Sequence, residues 1–158
     1  NTVHEYLGHL EDASLIFLLP KREGSLRKQE HNPKKLHVID PGLVAAFKAY
    51  PQRDVGHKLE TAVFLEMRRR HKDLYYYANG REVDLCDGEG RFFINSCWSL
   101  DDADTLRRET AALAFGRERW PKTDARLLYH EYAPGNLGGD PAFQPAWSFL
   151  LSEAERKP

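Results

Sequence analysis

The 158-residue sequence predicts a mixed α/β fold, and two observations carry that prediction. Residues 56–100 show the apolar periodicity of one helix and then three short apolar segments separated by turn residues. A second amphipathic helix over 101–115 leads to a further apolar segment over 125–132. Tight turns join antiparallel strands, whereas a helix of that length joins parallel ones. We therefore expect a mixed sheet flanked by helices.

Residues 1–32 predict a helix followed by a hairpin. Thr2 and Glu5 have the spacing of a capping box, and apolar residues then recur at helical intervals up to position 12. Residues 15–19 predict a strand that a proline ends, and a turn leads to a second short strand around 25–28. A helix and hairpin are typical of the end of a winged helix. We interpret residues 1–32 as a partial winged-helix remnant with a packing role.

Residues 33–158 are predicted to form the second domain, which begins with a polar connector and a buried strand over 36–39. Asp40 precedes Pro41, and this pair predicts the cap and first turn of a short helix. The main helix is expected to open near 54–56 and to end in arginines that complement its dipole. Asn79-Gly80 is a favoured hairpin turn. The three strands around this turn and the next one are predicted over 74–77, 82–86 and 91–98.

The end of the chain predicts a glycine-rich loop over 134–141. Residues 144–151 then predict a short strand or helical turn whose aromatic side chains pack on the core. No apolar run reaches the roughly 20 residues that a membrane-spanning helix needs, so we expect no membrane partner.

Composition restricts the function classes further. The formal net charge is −1, so no overall basic field indicates a nucleic-acid partner. Two cysteines without metal-ligand spacing favour a reducing, cytoplasmic setting, and the seven scattered histidines form no zinc motif. No Gly-Lys-Ser/Thr phosphate loop is present, so this chain is not expected to hydrolyse ATP. It begins with Asn1, and we expect it to be part of a longer protein.

The order of helix and strands also predicts where acidic groups meet. Metal-dependent DNA cleavage uses carboxylates to hold Mg²⁺ and a lysine beside the attacking water. Glu60 supplies a carboxylate from the main helix and Asp84 one from the second strand, where alternation places it opposite Val83 and Leu85. Alternatively, Glu60 faces solvent and Asp84 is an ordinary exposed strand residue. Glu82 shares the predicted face of Asp84.

Seven segments, in order along nearly the whole chain, resemble a known family. They are residues 2–13, 37–43, 59–70, 75–77, 81–85, 105–109 and 145–151. The chain resembles the C-terminal region of bacterial and archaeal ATPases of the AAA+ superfamily, catalogued as domain of unknown function 4143. That region is similar to the PD-(D/E)XK restriction-endonuclease and Holliday-junction-resolvase fold. The resemblance implies an upstream AAA+ ATPase domain as partner, with ATP bound only there.

The third strand departs from the family pattern. The family commonly carries Gln-Val and a small residue there, whereas this chain has Asn95, Ser96 and Cys97. The degenerate catalytic motif would thus comprise Glu60, Asp84, Asn95 and Cys97, with Cys97 in the lysine position. A thiol is neutral near pH 7 and does not replace a cation, and Cys97 is not expected to act as a nucleophile. With Glu60 and Asp84 as metal ligands, Mg²⁺ binding should be weak.

Three functions therefore remain open from the sequence. The first is a non-catalytic nuclease-like domain that binds nucleic acid or a protein partner for the ATPase. The second is an active Mg²⁺-dependent DNA endonuclease with an altered motif. The third is a purely protein-binding regulatory module.

Overall fold

The computed structural model describes residues 2–47, 55–131 and 141–152, and these form a mixed α/β fold, as predicted. The helices are α1 (Thr2–Asp12), α2 (Leu26–His31), α3 (Pro41–Phe47), α4 (Val55–Arg70), α5 (Ala103–Arg119) and α6 (Ala146–Leu151). The strands are β1 (Ile16–Leu19), β2 (Lys35–Val38), β3 (Leu74–Ala78), β4 (Glu82–Asp87), β5 (Phe92–Ser99), β6 (Asp124–Glu131) and β7 (Ala142–Pro145). No helix among these residues is long and apolar enough to cross a membrane.

Five strands form one mixed sheet in the order β3-β4-β5-β6-β7. Strands β3, β4 and β5 pair antiparallel, while β6 runs parallel to both β5 and β7. Gly80 has a φ of 77°, which the turn between β3 and β4 requires and which glycine adopts without strain. The predicted parallel crossover through α5 is confirmed.

Helices cover both faces of this sheet and create two apolar clusters. On the α4 face, Val63, Phe64 and Met67 pack with Leu85 and Ile94. The cluster on the α5 face consists of other residues, among them Val83, Phe93, Cys97, Leu113 and Leu127. Helix α5 lies so close to β5 that a Cβ added at Gly116 would stand 2.4 Å from the ring of Phe93. The sheet is therefore buried on both sides where these helices cross it.

The hairpin predicted in the N-terminal region is wrong. Strand β1 pairs antiparallel with β2, and the residues expected to form a strand around 25–28 begin helix α2 instead. The segment Leu26–His31 consists mainly of good helix formers and follows Ser25 at the N-cap position, so local propensity explains the difference. The helix predicted up to position 12 is confirmed as α1.

A β-bulge in β4 alters the predicted alternation of side chains. Tyr75 pairs with Cys86 and Tyr77 with Val83, so β4 contains one extra residue between these pairs. Val83 consequently packs on the α5 face, while Leu85 packs on the α4 face. The prediction that both lie opposite Asp84 is therefore wrong for Leu85.

Of the predictions for the C-terminal part of the chain, the structure describes the segment 144–151 but little of the loop 134–141. Most of the glycine-rich loop predicted over 134–141 lies outside the described residues, as does position 54 before α4. Residues 144–151 contain the end of β7 and helix α6. Phe149 is buried, but Trp147 is 61% exposed, so only one of these two aromatic side chains packs on the core as expected.

Candidate acidic site

Three carboxylates meet around one ammonium group. The Nζ atom of Lys35 lies 2.8 Å from Glu60 Oε1, 2.7 Å from Glu82 Oε1 and 3.1 Å from Asp84 Oδ1. Helix α4 supplies Glu60, and β4 supplies the other two carboxylates. The lysine comes from β2, which belongs to the separate two-stranded sheet. The cluster therefore links two sheets as well as three elements.

Alternation along β2 explains the position of Lys35. His37 is two residues further along the strand and is fully buried beside α4, whereas Leu36 between them is exposed. The hydroxyl of Tyr76 on β3 donates a hydrogen bond of 2.6 Å to the carbonyl of Pro33, which fixes the chain just before β2. Lys35 and the buried His37 thus lie on the same face of β2, and Lys35 reaches the acidic site from that face.

The charges of this cluster are unevenly balanced. Burial favours the neutral amine of Lys35, but Asp84 and Glu60 outweigh it and raise the pKa of the ammonium above its ordinary value. Burial raises the pKa of Asp84 to about 7, against the opposing attraction of Lys35. Lys35 is therefore a permanent cation at neutral pH, and it is the group that allows several carboxylates to share this site.

Side chains replace ladder hydrogen bonds where β4 and β5 separate. The amide of Asp84 donates to Asn95 Oδ1 at 3.1 Å, and the amide of Ser96 donates to Asp84 Oδ2 at 3.0 Å. Asn95 Nδ2 in turn donates to Glu109 Oε2 at 2.7 Å. These bonds satisfy buried polar groups and hold the Asp84 carboxylate in place.

The structure brings only part of the predicted motif together. Glu60 and Asp84 share Lys35, as expected of residues in one site. Asn95 is fully buried and bonded to Glu109 of α5, and its carbonyl oxygen is already taken by Asp84. Cys97 packs in the cluster on the α5 face, and burial raises the pKa of its thiol to about 12. Asn95 therefore contacts the backbone of Asp84 and Glu82 but not their carboxylates, and Cys97 lies on the opposite face of the sheet.

A buried histidine lies beside the carboxylates. The His37 ring stacks on Phe64 with centroids 4.2 Å apart, and Nδ1 lies 3.2 Å from Thr61 Oγ1. Burial lowers the pKa of His37 to about 3, so the imidazole is neutral at physiological pH. Its Nε2 atom and the Ser96 hydroxyl have no protein partner within the described residues. Both residues line a cavity of about 10 Å³ with Asp84, a volume that suits about one water molecule.

Mg²⁺ does not fit the cluster in this arrangement. Magnesium requires oxygen ligands at about 2.0–2.1 Å in near-octahedral geometry. The three carboxylate oxygens instead surround an ammonium nitrogen at 2.7–3.1 Å. Within the part of the chain that the structure describes, no group of three or more His, Cys, Asp or Glu residues is arranged to hold a metal ion. Lys35 occupies the centre that a cation would need.

Sequence reasoning missed the partner of these carboxylates. The sequence predicts a polar connector at Lys35, although a strand that places His37 on a buried face places Lys35 on that face as well. A lysine at such a position needs an anionic partner. The two-residue spacing of Lys35 and His37 therefore indicates, from the sequence, that Lys35 pairs with acidic residues.

The comparisons with known proteins give one informative match. The chain is 34% identical over 111 residues to "Uncharacterized protein MJ1544" of Methanocaldococcus jannaschii. The aligned region covers 66% of this chain and 24% of that protein, so the chain spans about a quarter of the relative that it matches. No protein-family model and no solved structure matches the chain.

Proposed function

We propose that this chain is a non-catalytic nuclease-like domain, with a restriction-endonuclease-like fold, attached to an AAA+ type ATPase. The observation that carries the proposal is the Lys35 ammonium, which pairs with Glu60, Glu82 and Asp84 and fills the position that a metal would take. The domain then acts by binding nucleic acid or a protein partner rather than by cleavage. It works in the cytoplasm, where its two free cysteines stay reduced.

Three features support this assignment. The order α4-β3-β4-β5-α5-β6, with Glu60 on the helix and Asp84 on the second strand, agrees with the order that the PD-(D/E)XK resemblance implies. Helix α1 retains the helical part of the proposed winged-helix remnant over 1–32, although its hairpin is not formed as expected. The matched archaeal protein is roughly four times as long as the aligned region, as a domain attached to an ATPase would require.

A cleavage assay tests the proposal. Supercoiled and branched DNA are incubated with the wild-type protein and with Asp84→Ala, in the presence of Mg²⁺ or Mn²⁺. We expect no cleavage by either protein, even at high protein concentration. Cleavage by the wild type that disappears in Asp84→Ala would overturn the non-catalytic assignment.

The second candidate is an active Mg²⁺-dependent DNA endonuclease, and one observation favours it. Lys35 brings to Asp84 and Glu60 the ammonium group that the third strand lacks. If this lysine is catalytic, Lys35→Met must abolish cleavage while Lys34→Met retains it. Lys34 is the matched control because it is adjacent in sequence and exposed.

The third candidate is a protein-binding module, which the exposed side chains of Val3, Tyr6 and Leu10 on helix α1 favour. Their spacing places them along one side of the helix. DNA binding measured at two salt concentrations separates this candidate from nucleic-acid binding, because phosphate contacts weaken steeply as salt rises. No DNA binding at low salt would favour the protein partner.

A further inference from the structure

A second polar cavity, of about 280 Å³, lies between the segment after β1 and the end of β3. Its lining includes the three cationic residues Lys21, Arg22 and Arg119, one carboxylate, that of Glu23, and Asn79 of the hairpin turn. None of these residues belongs to the acidic site. The cavity therefore offers an environment of the opposite charge on the same domain.

The Arg22 guanidinium is held in a defined orientation. Its Nε and Nη2 atoms both donate to the carbonyl of Gly88, at 3.1 and 2.5 Å, and its carbon lies 4.1 Å from the ring centroid of Trp120. The Arg22 backbone amide also donates to the carbonyl of Tyr76 at 2.7 Å. Nη1 is not used in the bonds to Gly88 and can donate to a ligand.

Trp120 is itself fixed, and it positions a second arginine. The indole packs edge-on against Tyr77 and Phe93, with centroids 5.4 and 5.5 Å away. Gly90 has a φ of 72°, and a Cβ at that position would lie 2.6 Å from the indole, so the close approach requires glycine. The Arg119 guanidinium lies 5.2 Å from the same ring. The Trp120 indole thus contacts two cationic side chains, Arg22 and Arg119.

The positive charge of the cavity is only partly balanced. Glu23 pairs with Lys21 at 3.2 Å and also accepts a hydrogen bond from Asn32. Within the described residues, no carboxylate pairs with Arg22 or Arg119. Two guanidinium groups therefore remain to attract an anion into the cavity.

We propose that this cavity binds a phosphate group. Guanidinium groups match phosphate oxygens with paired, charge-assisted hydrogen bonds, and the stacking of both arginines on Trp120 lowers the entropy cost of positioning them. The Asn79 amide provides a further neutral donor. The phosphate belongs either to a free small molecule or to a nucleic-acid backbone, and the two sources share this chemistry.

The test uses inorganic phosphate as one probe and a short single-stranded DNA oligonucleotide as the other. Binding to the full chain is followed by NMR through the indole N–H of Trp120 and by isothermal titration. The variants are Arg22→Ala and Arg119→Ala, with Arg69→Ala as the matched control, since Arg69 is an exposed arginine on helix α4. Urea unfolding of each variant confirms that it is folded.

We expect at least one probe to bind the wild type and Arg69→Ala equally. Each cavity variant should weaken that binding by at least about tenfold, because a hydrogen bond to a charged group is lost. Binding of inorganic phosphate identifies a free ligand, and binding of the oligonucleotide alone identifies a nucleic-acid backbone. The proposal is overturned if neither probe binds, or if folded Arg22→Ala and Arg119→Ala bind as tightly as the wild type.

Discussion

Strand β4 contains two aspartates, Asp84 and Asp87, whose charges are balanced in different ways. Asp87 is 1% exposed and accepts hydrogen bonds from the amide and Nε atoms of Arg91, at 2.8 and 2.5 Å. Its partner is four residues away, across the turn to β5. The partner of Asp84 is Lys35, which is 49 residues away and belongs to another sheet.

The difference shows what each carboxylate does for the fold. Asp87 organises a single turn, so its effect is local. Asp84 sits at the β-bulge and connects β4 to both β5 and β2 through Ser96 and Lys35. A buried charge with a distant partner fixes how two sheets meet, and it depends on that partner for its stability.

The largest expected effect comes from removing Lys35. Lys35→Met leaves three carboxylates around an uncharged side chain, and we expect the free energy of unfolding to fall by about 3 kcal/mol, as for one partner of a buried ion pair. Lys34→Met should change it by less than about 0.5 kcal/mol, since that side chain is exposed. Urea unfolding at pH 7 measures both. Equal effects of the two variants would refute the role of Lys35.

Asp87→Ala should have the next largest effect. It removes the acceptor of the Arg91 amide and of its guanidinium, and we expect a loss of about 2 kcal/mol in the free energy of unfolding. The exposed Glu89, which also lies near Arg91, provides the control Glu89→Ala, with little expected effect. If Asp87→Ala lowers the free energy of unfolding more than Lys35→Met does, the local pair of Asp87 contributes more to stability than the distant partner of Asp84, contrary to the prediction.

The pH dependence of stability tests the buried histidine beside Asp84. Burial lowers the pKa of His37 from 6.5 to about 3, so below pH 6.5 the unfolded chain binds a proton that the folded chain does not. The contribution of the neutral His37 imidazole to the free energy of unfolding is therefore fully present above about pH 6.5 and is lost as the pH falls toward 3. Between pH 6.5 and 5.5, the wild type should lose about 1 kcal/mol relative to His37→Phe.

A matched variant tests whether the pH dependence comes from the His37 imidazole or from the hydroxyl of Thr61 beside it. Thr61→Val removes the hydroxyl next to Nδ1 but keeps the ring, so its stability should follow the wild-type pH dependence. Unfolding in urea at four or five pH values measures the three proteins. A constant difference between wild type and His37→Phe over that range would contradict the burial of a neutral imidazole.

The smallest expected effect concerns the cysteines. Burial raises the pKa of both the Cys86 and Cys97 thiols to about 12, so neither forms a thiolate near pH 7. We expect no alkylation by iodoacetamide in the folded protein and two modified thiols in urea, counted by mass spectrometry. Rapid native labelling of Cys97 would restore it as a candidate nucleophile.

The same contrast between local and distant partners explains what the sequence could predict. Asp40 was expected to cap α3, and its Oδ1 atom does accept the amide of Gly42 at 2.7 Å. The Asn79-Gly80 turn and the parallel crossover were likewise predictable, because each depends on neighbouring residues or on one helix. Such signals lie within a few residues of the structure that they specify.

The errors arose where distant contacts or small irregularities decide the outcome. A one-residue bulge in β4 moved Leu85 to the other face, and simple alternation does not reveal a bulge. The alignment of Asn95 and Cys97 with the nuclease motif stays a prediction, and the structure places both side chains on the α5 side, where Glu109 and apolar packing hold them. Lys35 was missed because its pairing depends on the packing of two sheets.

A Ca²⁺ titration of the wild type and of Lys35→Met tests most directly whether the lysine takes the place of a cation. Calcium is chosen because its ligand distances of about 2.3–2.6 Å are closer to the present oxygen positions than those of Mg²⁺. The account predicts that Lys35→Met binds Ca²⁺ at least about tenfold more tightly than the wild type by isothermal titration. Equal affinities, or wild-type binding that Asp84→Asn abolishes, would contradict it.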